Sequence, residues 1–376
     1  MANSIEVAAV KSRADKRRFL KLPWDLHRSD PNWTPPLRMN QKAMVGFSKH
    51  PFYESAEAQT FLARRAGKVC GRISAIVNPH HNRRHNDRIG FFGFFESIDD
   101  PAVAAALFDA AKQWLRDHDM TTIRGPVNPS MNYECGLLVE GFDSPATFMM
   151  TYNPAYYPSL VEAYGFEKSQ DLFTYDGDLD LLESLDPKLY RLMEAAIERF
   201  KVDVRKIDMR RYAQDVRIIL DMFNKATVGS WGFVPLSDAE AHHLGKELKF
   251  LLEPALVRIA EVEGKPVGVL LALLDYNPLI KQIDGKLFPF GFLKLMRGRK
   301  KLTHCRMMSS NVLPEYQRWG LGLILIGAMH DDGLALGLQT AEFSWVLESN
   351  DLSRLSIEKA GLRRVKTHRL YDLAIG

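Results

Sequence analysis

Apolar and polar positions alternate along short stretches of this chain and then switch to helical spacing, and each switch marks an element. Alternation rich in β-branched and aromatic residues predicts strands over 5–10, 58–64, 69–77, 89–96 and 121–125. The same pattern returns over 202–207, 255–261, 267–274, 305–312 and 341–347. Apolar residues three and four apart predict helices over 14–26, 101–117, 212–226, 238–252 and 323–338. Pro35 and Pro36 make 33–49 loop-rich. Each half therefore runs strand, helix, antiparallel meander, helix, strand, which is an α+β class with a mixed α/β sheet, built twice.

The halves also close alike. Asn153 leads to a helical pattern ended by Gly165-Phe166, and Asn350 leads to one ended by Gly361-Leu362, each followed by a strand. Glycine suits a left-handed helix C-cap and asparagine a helix entry, so the joint recurrence marks a repeat. Domains are expected at 1–178 and 179–376, with the acidic, Leu-rich segment 176–186 as hinge.

Bulk properties narrow the classes. A length of 376 residues favours two domains, and 46% hydrophobic with 26% charged residues is an ordinary globular balance. Cys70, Cys135 and Cys305 are widely spaced, which suggests neither a disulfide framework nor a zinc ribbon and fits a reducing cytoplasm. Lys11, Arg13, Lys16, Arg17 and Arg18 stand where a signal peptide needs an apolar run, and no stretch reaches the ~18 apolar residues of a membrane span. A net charge of +4 is too mild for a nucleic-acid binder.

The chemistry centres on NVLPEYQRWGLG, Asn311 to Gly322, between the strand 305–312 and the helix 323–338. Two glycines let the backbone approach an anion, the amides of the loop and first helical turn point at it, and Arg318 adds a charge. On these residues the chain resembles the GCN5-related N-acetyltransferase (GNAT) superfamily, whose R/Q-x-x-G-x-G/A loop is matched from Gln317 to Gly322. The resemblance implies an acyl-CoA co-substrate and no metal. Gln317, Arg318, Trp319, Gly320, Leu321 and Gly322 would hold its diphosphate, Asn311, Val312 and Leu313 its pantetheine amides, and Asn350 would border the site. On the motif alone, a turn that binds nothing or a dinucleotide fold stays open.

The first half carries Ser97-Ile-Asp-Asp-Pro101 at the equivalent place, where two carboxylates would repel a diphosphate. One acyl-CoA site per chain is therefore expected, in the second half, with the first half structural or on the acceptor side. The polar run 125–136, with Tyr152-Asn153 soon after, suits a wall that orients a polar head group through Asn128, Asn132, Tyr133, Tyr152 and Asn153, although such residues also simply make turns. Acyl transfer to an amine needs a base, for which Glu348 and Glu134 are the candidates, with His304 and His330 behind them. Many GNAT members place a tyrosine acid four residues before the closing Gly-Phe, and here that position is Ile357. His80, His81 and His85 are interleaved with Arg83 and Arg84, which favours a solvated loop over a metal site.

Between the strands 267–274 and 305–312 lies an insertion in which Lys281, Lys286, Lys294, Arg297, Arg299, Lys300 and Lys301 alternate with Leu, Ile and Phe. That mixture suits a membrane-surface element over 277–302, and its plainer alternative is a packed hairpin with a basic edge. Over its whole length, including GPVNPSMNYECG, YNPAYY and the tandem layout, the chain resembles the bacterial ceramide synthase-like group of GNAT proteins. By that resemblance it transfers a fatty acyl chain to the amine of a sphingoid-type lipid, in the cytoplasm or peripherally at the inner face of the membrane. An acetyltransferase of a small or peptidyl amine, and a non-catalytic acyl-CoA-binding protein, remain as alternatives.

Overall fold

The computed structural model describes residues 4–182 and 187–376, without the side chains of residues 182, 187–190, 192 and 318. In chain order the elements begin β1 (Ile5–Ala9), α1 (Arg13–His27), α2 (Arg38–Met44), β2 (Glu57–Arg65), β3 (Lys68–Val77), α3 (Pro79–His85), β4 (Ile89–Ser97), α4 (Pro101–Arg116) and β5 (Thr122–Gly125). Short strands β6 (Val127–Asn128), β7 (Glu134–Cys135) and β8 (Leu137–Glu140) precede α5 (Tyr157–Ala163) and β9 (Glu167–Asp178). There follow α6 (Pro187–Phe200), β10 (Val202–Lys206), α7 (Tyr212–Ala226), α8 (Asp238–Leu248), β11 (Val257–Val262) and β12 (Lys265–Leu274). The chain continues through α9 (Asn277–Gln282), α10 (Gly291–Gly298), β13 (His304–Val312), α11 (Leu321–Ala335), β14 (Thr340–Leu347), α12 (Asp351–Lys359) and β15 (Arg363–Ala374).

Two compact units emerge. The first holds the residues up to Leu172 together with Asn277–Leu295 and Lys366–Gly376, and the second holds Phe173–Tyr276 and Met296–Val365. The insertion segment 277–295 thus belongs with the first unit although second-unit strands flank it in sequence. The hinge expected over 176–186 lies partly outside the described residues.

In the first unit β1, β2, β3 and β4 form an antiparallel meander, β4 then pairs in parallel with β5, and β5 pairs antiparallel with β15 at Tyr371↔Gly125. The crossover α4 is capped by Asp100 with Pro101 at its first turn, and its Leu107, Phe108 and Ala111 are fully buried on the sheet. Phe92, Phe108 and Phe166 meet there with ring centroids 5.0–5.4 Å apart. The second unit repeats the plan: β10, β11, β12 and β13 are antiparallel neighbours, and β13 runs parallel to β14 across the crossover α11. The α+β class with a mixed sheet, built twice, is what the structure has.

Departures from the sequence reading are local. Pro35-Pro36 sit just ahead of α2 instead of preventing it. The His80–His85 stretch, expected as loop, is α3: the Asn78 side chain accepts from the His80 and His81 amides, Pro79 sits at the first turn, and Asn86 closes the helix in the left-handed region. The insertion is two short helices, α9 and α10. Gly165 and Gly361 do take positive φ, 108° and 89°, just beyond their helices. Asn350 caps α12, whereas Asn153 does not enter a helix but clamps Leu138 through its amide and carbonyl. No helix among the described residues is long and apolar enough to cross a membrane.

Candidate active site

In the second unit the last registered pair of β13 and β14 is Met307↔Phe343, and β13 then continues to Val312 while β14 runs on to Leu347. Beyond that pair the two parallel strands diverge. Main-chain groups on the β14 side of β13 are thereby released from the ladder, while on its other side β13 remains paired to β12 as far as Gly268↔Val312. Leu313 closes the strand by donating its amide to Val267 O at 3.0 Å.

A tight turn, Pro314–Trp319, leads into α11, and Gly320 caps the helix at φ 74°, in the left-handed region that only glycine enters freely. A Cβ at Gly320 would meet nothing within 4 Å, so the space over the turn is open. Leu323 and Ile324 donate to Gly320 O, which leaves the Leu321 and Gly322 amides at the start of the helix without an intrahelical acceptor, as helix geometry dictates. Gln317 ties the turn down by donating from Nε2 to Val312 O at 3.2 Å, and Trp319 stacks on Phe200 with centroids 3.5 Å apart. The Arg318 side chain lies outside the described residues. Open amides, a helix dipole and a glycine-lined approach fit a diphosphate.

Asn311 is turned to its own strand, donating to Ser309 Oγ, and Asn350 is occupied in capping, its Oδ1 accepting from the Ser353 amide at 3.2 Å. Glu348 follows β14 and is half-buried. Ile357 lies on α12, so that helix offers no phenol of its own at the expected position. One reaches α12 from β9: the buried Tyr175 hydroxyl donates to Glu358 Oε1 at 2.8 Å, and burial, followed by that carboxylate, pushes its phenol up to about 12.

The equivalent place in the first unit is blocked twice. Asp100 accepts from the Ala102 and Val103 amides at 2.9 and 3.4 Å, so a carboxylate already occupies the start of α4, and the Arg65 guanidinium at 2.7 Å holds its carboxyl below the usual range. Past the last β4–β5 pair, Phe91↔Arg124, β4 bulges at Phe94 with φ 50°, and the Phe94 amide donates to Asn128 Oδ1 at 2.6 Å. A Cβ on Gly93 would collide with the Val127 carbonyl oxygen, so the 127–128 backbone is packed directly on β4.

That closure leaves a cavity of about 180 Å³ in the first unit. Glu134, Asn128, Tyr152 and Asn153 all line it, as do Asn277 and Ile280 of α9. Asn128 and Glu134 are cross-strand partners in the β6–β7 ribbon, which puts both side chains on one face. Asn132 and Tyr133 are not in its wall: the Asn132 amide donates to Ser130 Oγ, and the Tyr133 ring packs against His50 and Phe52. Glu134 therefore belongs to the first unit and Glu348 to the second.

Sequence reasoning missed a buried knot in the same wall. Glu96 accepts from His27 Nε2 at 2.6 Å, from the Tyr157 hydroxyl at 2.7 Å and from Arg72 at 3.3 Å. Burial pushes the Glu96 carboxyl up, but His27, Arg72 and Tyr157 together hold it below its ordinary value. The only hint in the sequence is an acid ending the apolar run Phe91 to Phe95.

Among the described residues no group of three or more His, Cys, Asp or Glu side chains is placed to hold an ion. Burial, with His85 and Arg124 nearby, pushes the His81 imidazole down to about 3, so it is neutral. The insertion is anchored by its lone acid: Asp284 accepts from Trp24 Nε1 and from Arg38, each at 2.7 Å. Beyond that anchor Phe288 and Phe290 stand about 70% exposed, beside exposed Phe292, Leu293, Lys286 and Lys294.

The chain is 36% identical over 380 aligned positions to a bacterial ceramide synthase of Caulobacter vibrioides, covering 99% of this chain and 98% of that protein. It is 34% identical over 370 positions to the protein YghO of Escherichia coli, covering 97% and 94%. No protein-family model matches it. Among solved structures it is similar in fold to a tandem GNAT protein from the clavulanic acid biosynthesis pathway, at TM-score 0.57 and 12% identity over 99% of both chains. A GCN5-related N-acetyltransferase from Sphaerobacter thermophilus aligns at TM-score 0.54 and 12% identity, over 99% of this chain and 96% of that one.

Proposed function

The chain belongs to the tandem GNAT family that includes the bacterial ceramide synthase of Caulobacter vibrioides, and from that premise we propose that it transfers a long fatty acyl group from acyl-CoA to the amine of a sphingoid-type lipid. The observation that carries this reading is the turn at Gly320, where open amides at the start of α11 border the divergence of β13 and β14. Gln317 to Gly322 take the diphosphate, and the end of β13 at Asn311, Val312 and Leu313 takes the pantetheine amides through the main-chain groups that β12 and Gln317 do not engage, with Asn350 holding α12 alongside. The polar wall of the first unit, with Asn128, Tyr152 and Asn153, serves the acceptor.

The acceptor nitrogen, once neutral, attacks the thioester carbon: a C–N bond forms, the C–S bond breaks, and one proton leaves nitrogen while one is gained by sulfur. Glu348 is the proposed base in the second unit, with Glu134 as its counterpart in the first. Main-chain amides of the diverging strands face the oxygen that gains charge. With Ile357 in place of a phenol, the thiolate leaves without an acid from α12.

A thiol-release assay tests the assignment. Palmitoyl-CoA with sphinganine is expected to yield free thiol and an amide product, whereas acetyl-CoA with small amines yields none. The opposite pattern would move the substrate class to small amines, and binding of CoA without turnover under every pairing would remove the enzyme reading.

Exposed Phe288, Phe290, Phe292 and Leu293 beside Lys286 and Lys294 support contact with an anionic membrane surface, through which a lipid acceptor is reached. Phe288→Ser with Phe290→Ser is expected to cut co-sedimentation with anionic vesicles by at least about tenfold, since each ring withdrawn from the acyl boundary loses ~1.5–3 kcal/mol. Equal sedimentation of variant and wild type would leave those rings without that role.

A further inference from the structure

Beyond Met307↔Phe343 the strands β13 and β14 separate within the second unit, and buried main chain that leaves a ladder needs new partners. One side chain supplies them across the gap. We infer that Arg306 is a positioning residue that, with Ser344 and Glu342, braces the two strands apart before a pantetheine arm enters, a role that rests on the acyl-CoA reading for what fills the gap.

Three observations carry it. The first is reach. Arg306 and Glu342 are cross-strand partners one pair before the ladder ends, Ser344 is the first β14 residue past its end, and all three are buried. Arg306 Nε donates to Ser344 Oγ at 2.7 Å, and Nη2 donates to the Ser344 carbonyl at 3.2 Å. Ser344 Oγ in turn donates to Glu342 Oε1. The guanidinium thus extends past the point of separation and holds both the side chain and the main chain of the far strand, a two-donor grip that lysine cannot copy. The second is the bulge. β13 changes register against β12 between Ala272↔Met307 and Leu271↔Ser309, which leaves Met308 as the extra residue. A bulge bends its strand, and this one falls on the residue that a continued ladder would have set opposite Ser344. Bend and brace act at one place.

The third is the contrast with the first unit, whose corresponding ladder ends at Phe91↔Arg124. One pair before that end stand Gly90 and Ile123, and the first β5 residue past it is Gly125, so none of the three has a polar side chain with which to build a brace. Arg124 is turned to Asp372 of β15. There the 127–128 backbone is packed on β4 at Gly93 instead, and Asp100 already occupies the start of α4. The brace belongs to the unit that carries the Gly320 turn, and its counterpart is missing where the anion site has been given up.

The test is calorimetric titration of the full chain with CoA and, separately, with adenosine 3′-phosphate 5′-diphosphate, the half of CoA that lacks the pantetheine arm. Ser344→Ala is expected to weaken CoA about tenfold, the factor a hydrogen bond to a charged group commands, and to leave the truncated nucleotide unchanged. Arg306→Lys, which keeps the charge without the two-donor geometry, should do the same. Thr340→Val is the control: it removes the bond between His304 Nδ1 and Thr340 Oγ1 at 2.6 Å, across the paired end of the same two strands, and should leave both affinities at the wild-type value. Amide hydrogen exchange is read in the same proteins without ligand, where Ser344→Ala should speed exchange over 344–347 and spare 304–307. Equal loss of CoA affinity in Ser344→Ala and Thr340→Val, equal loss of both ligands, or unchanged CoA affinity in a folded Ser344→Ala protein would overturn the positioning role. A wild type that binds neither ligand removes the acyl-CoA reading, while unchanged exchange in Ser344→Ala removes the brace.

Discussion

Gly320→Asp is expected to lower CoA affinity by at least about 100-fold, because two like charges about 4 Å apart near a protein surface repel by about 4 kcal/mol. The position isolates that effect. Nothing lies within 4 Å of where a Cβ would be, so a side chain fits sterically, and the remaining penalty is the positive φ of 74°. Gly320→Ala pays only that conformational cost, ~1–2 kcal/mol of stability, and is the control. Titration with CoA should therefore rank wild type, Ala and Asp in order, with the large step between Ala and Asp. Equal affinities in two folded variants would remove the Gln317–Gly322 turn from the site.

The second large effect is on stability. Glu96→Ala strands Arg72, whose side chain is only 4% exposed, and leaving such a charge unpaired is expected to cost about 3–5 kcal/mol. Replacing both partners, Arg72→Met with Glu96→Leu, should recover only part of the loss, because the burial penalty goes with the charges while the buried His27 and Tyr157 donors lose their acceptor. The pH dependence follows from the direction of the shift. Glu96 is held below its ordinary value when folded, so its contribution is fully present above the unfolded value and is lost as pH falls through the lowered one. Acid unfolding of the wild type should therefore show a carboxylate component that Glu96→Gln lacks. A Glu96→Ala protein with an unchanged melting midpoint would mean that the knot carries no stability.

Much of the layout was legible because it depends on local rules. Alternating runs such as 69–77 and 267–274 became β3 and β12 with small shifts at their ends. The turn from Gln317 to Gly322 announced itself through glycine and its place between two periodicities. What stayed hidden depends on distance. His27, Arg72, Glu96 and Tyr157 lie on four separate elements and meet only after the sheet forms. Within 33–49, the prolines before α2 misled because proline is welcome just ahead of a helix and excluded only from its interior. For α3, the signal was present in Asn78-Pro79, a cap followed by a first-turn proline, and the histidine cluster drew attention from it. The two asparagines of the repeated ending look alike in sequence, yet one caps a helix and the other clamps a strand.

The strand β15 pairs with β5 at residues about 250 positions earlier in the chain, and the segment 277–295 also returns to the first unit. On the ribosome this reverses the usual order of events, in which an N-terminal domain folds while the rest is still being made. The first unit waits with an open sheet edge until residues 366–376 have emerged, so a nascent chain stalled after the second unit's strands would display the unpaired edge of β5 to chaperones and to other chains. Cutting the gene once, at any position, cannot yield the first unit whole.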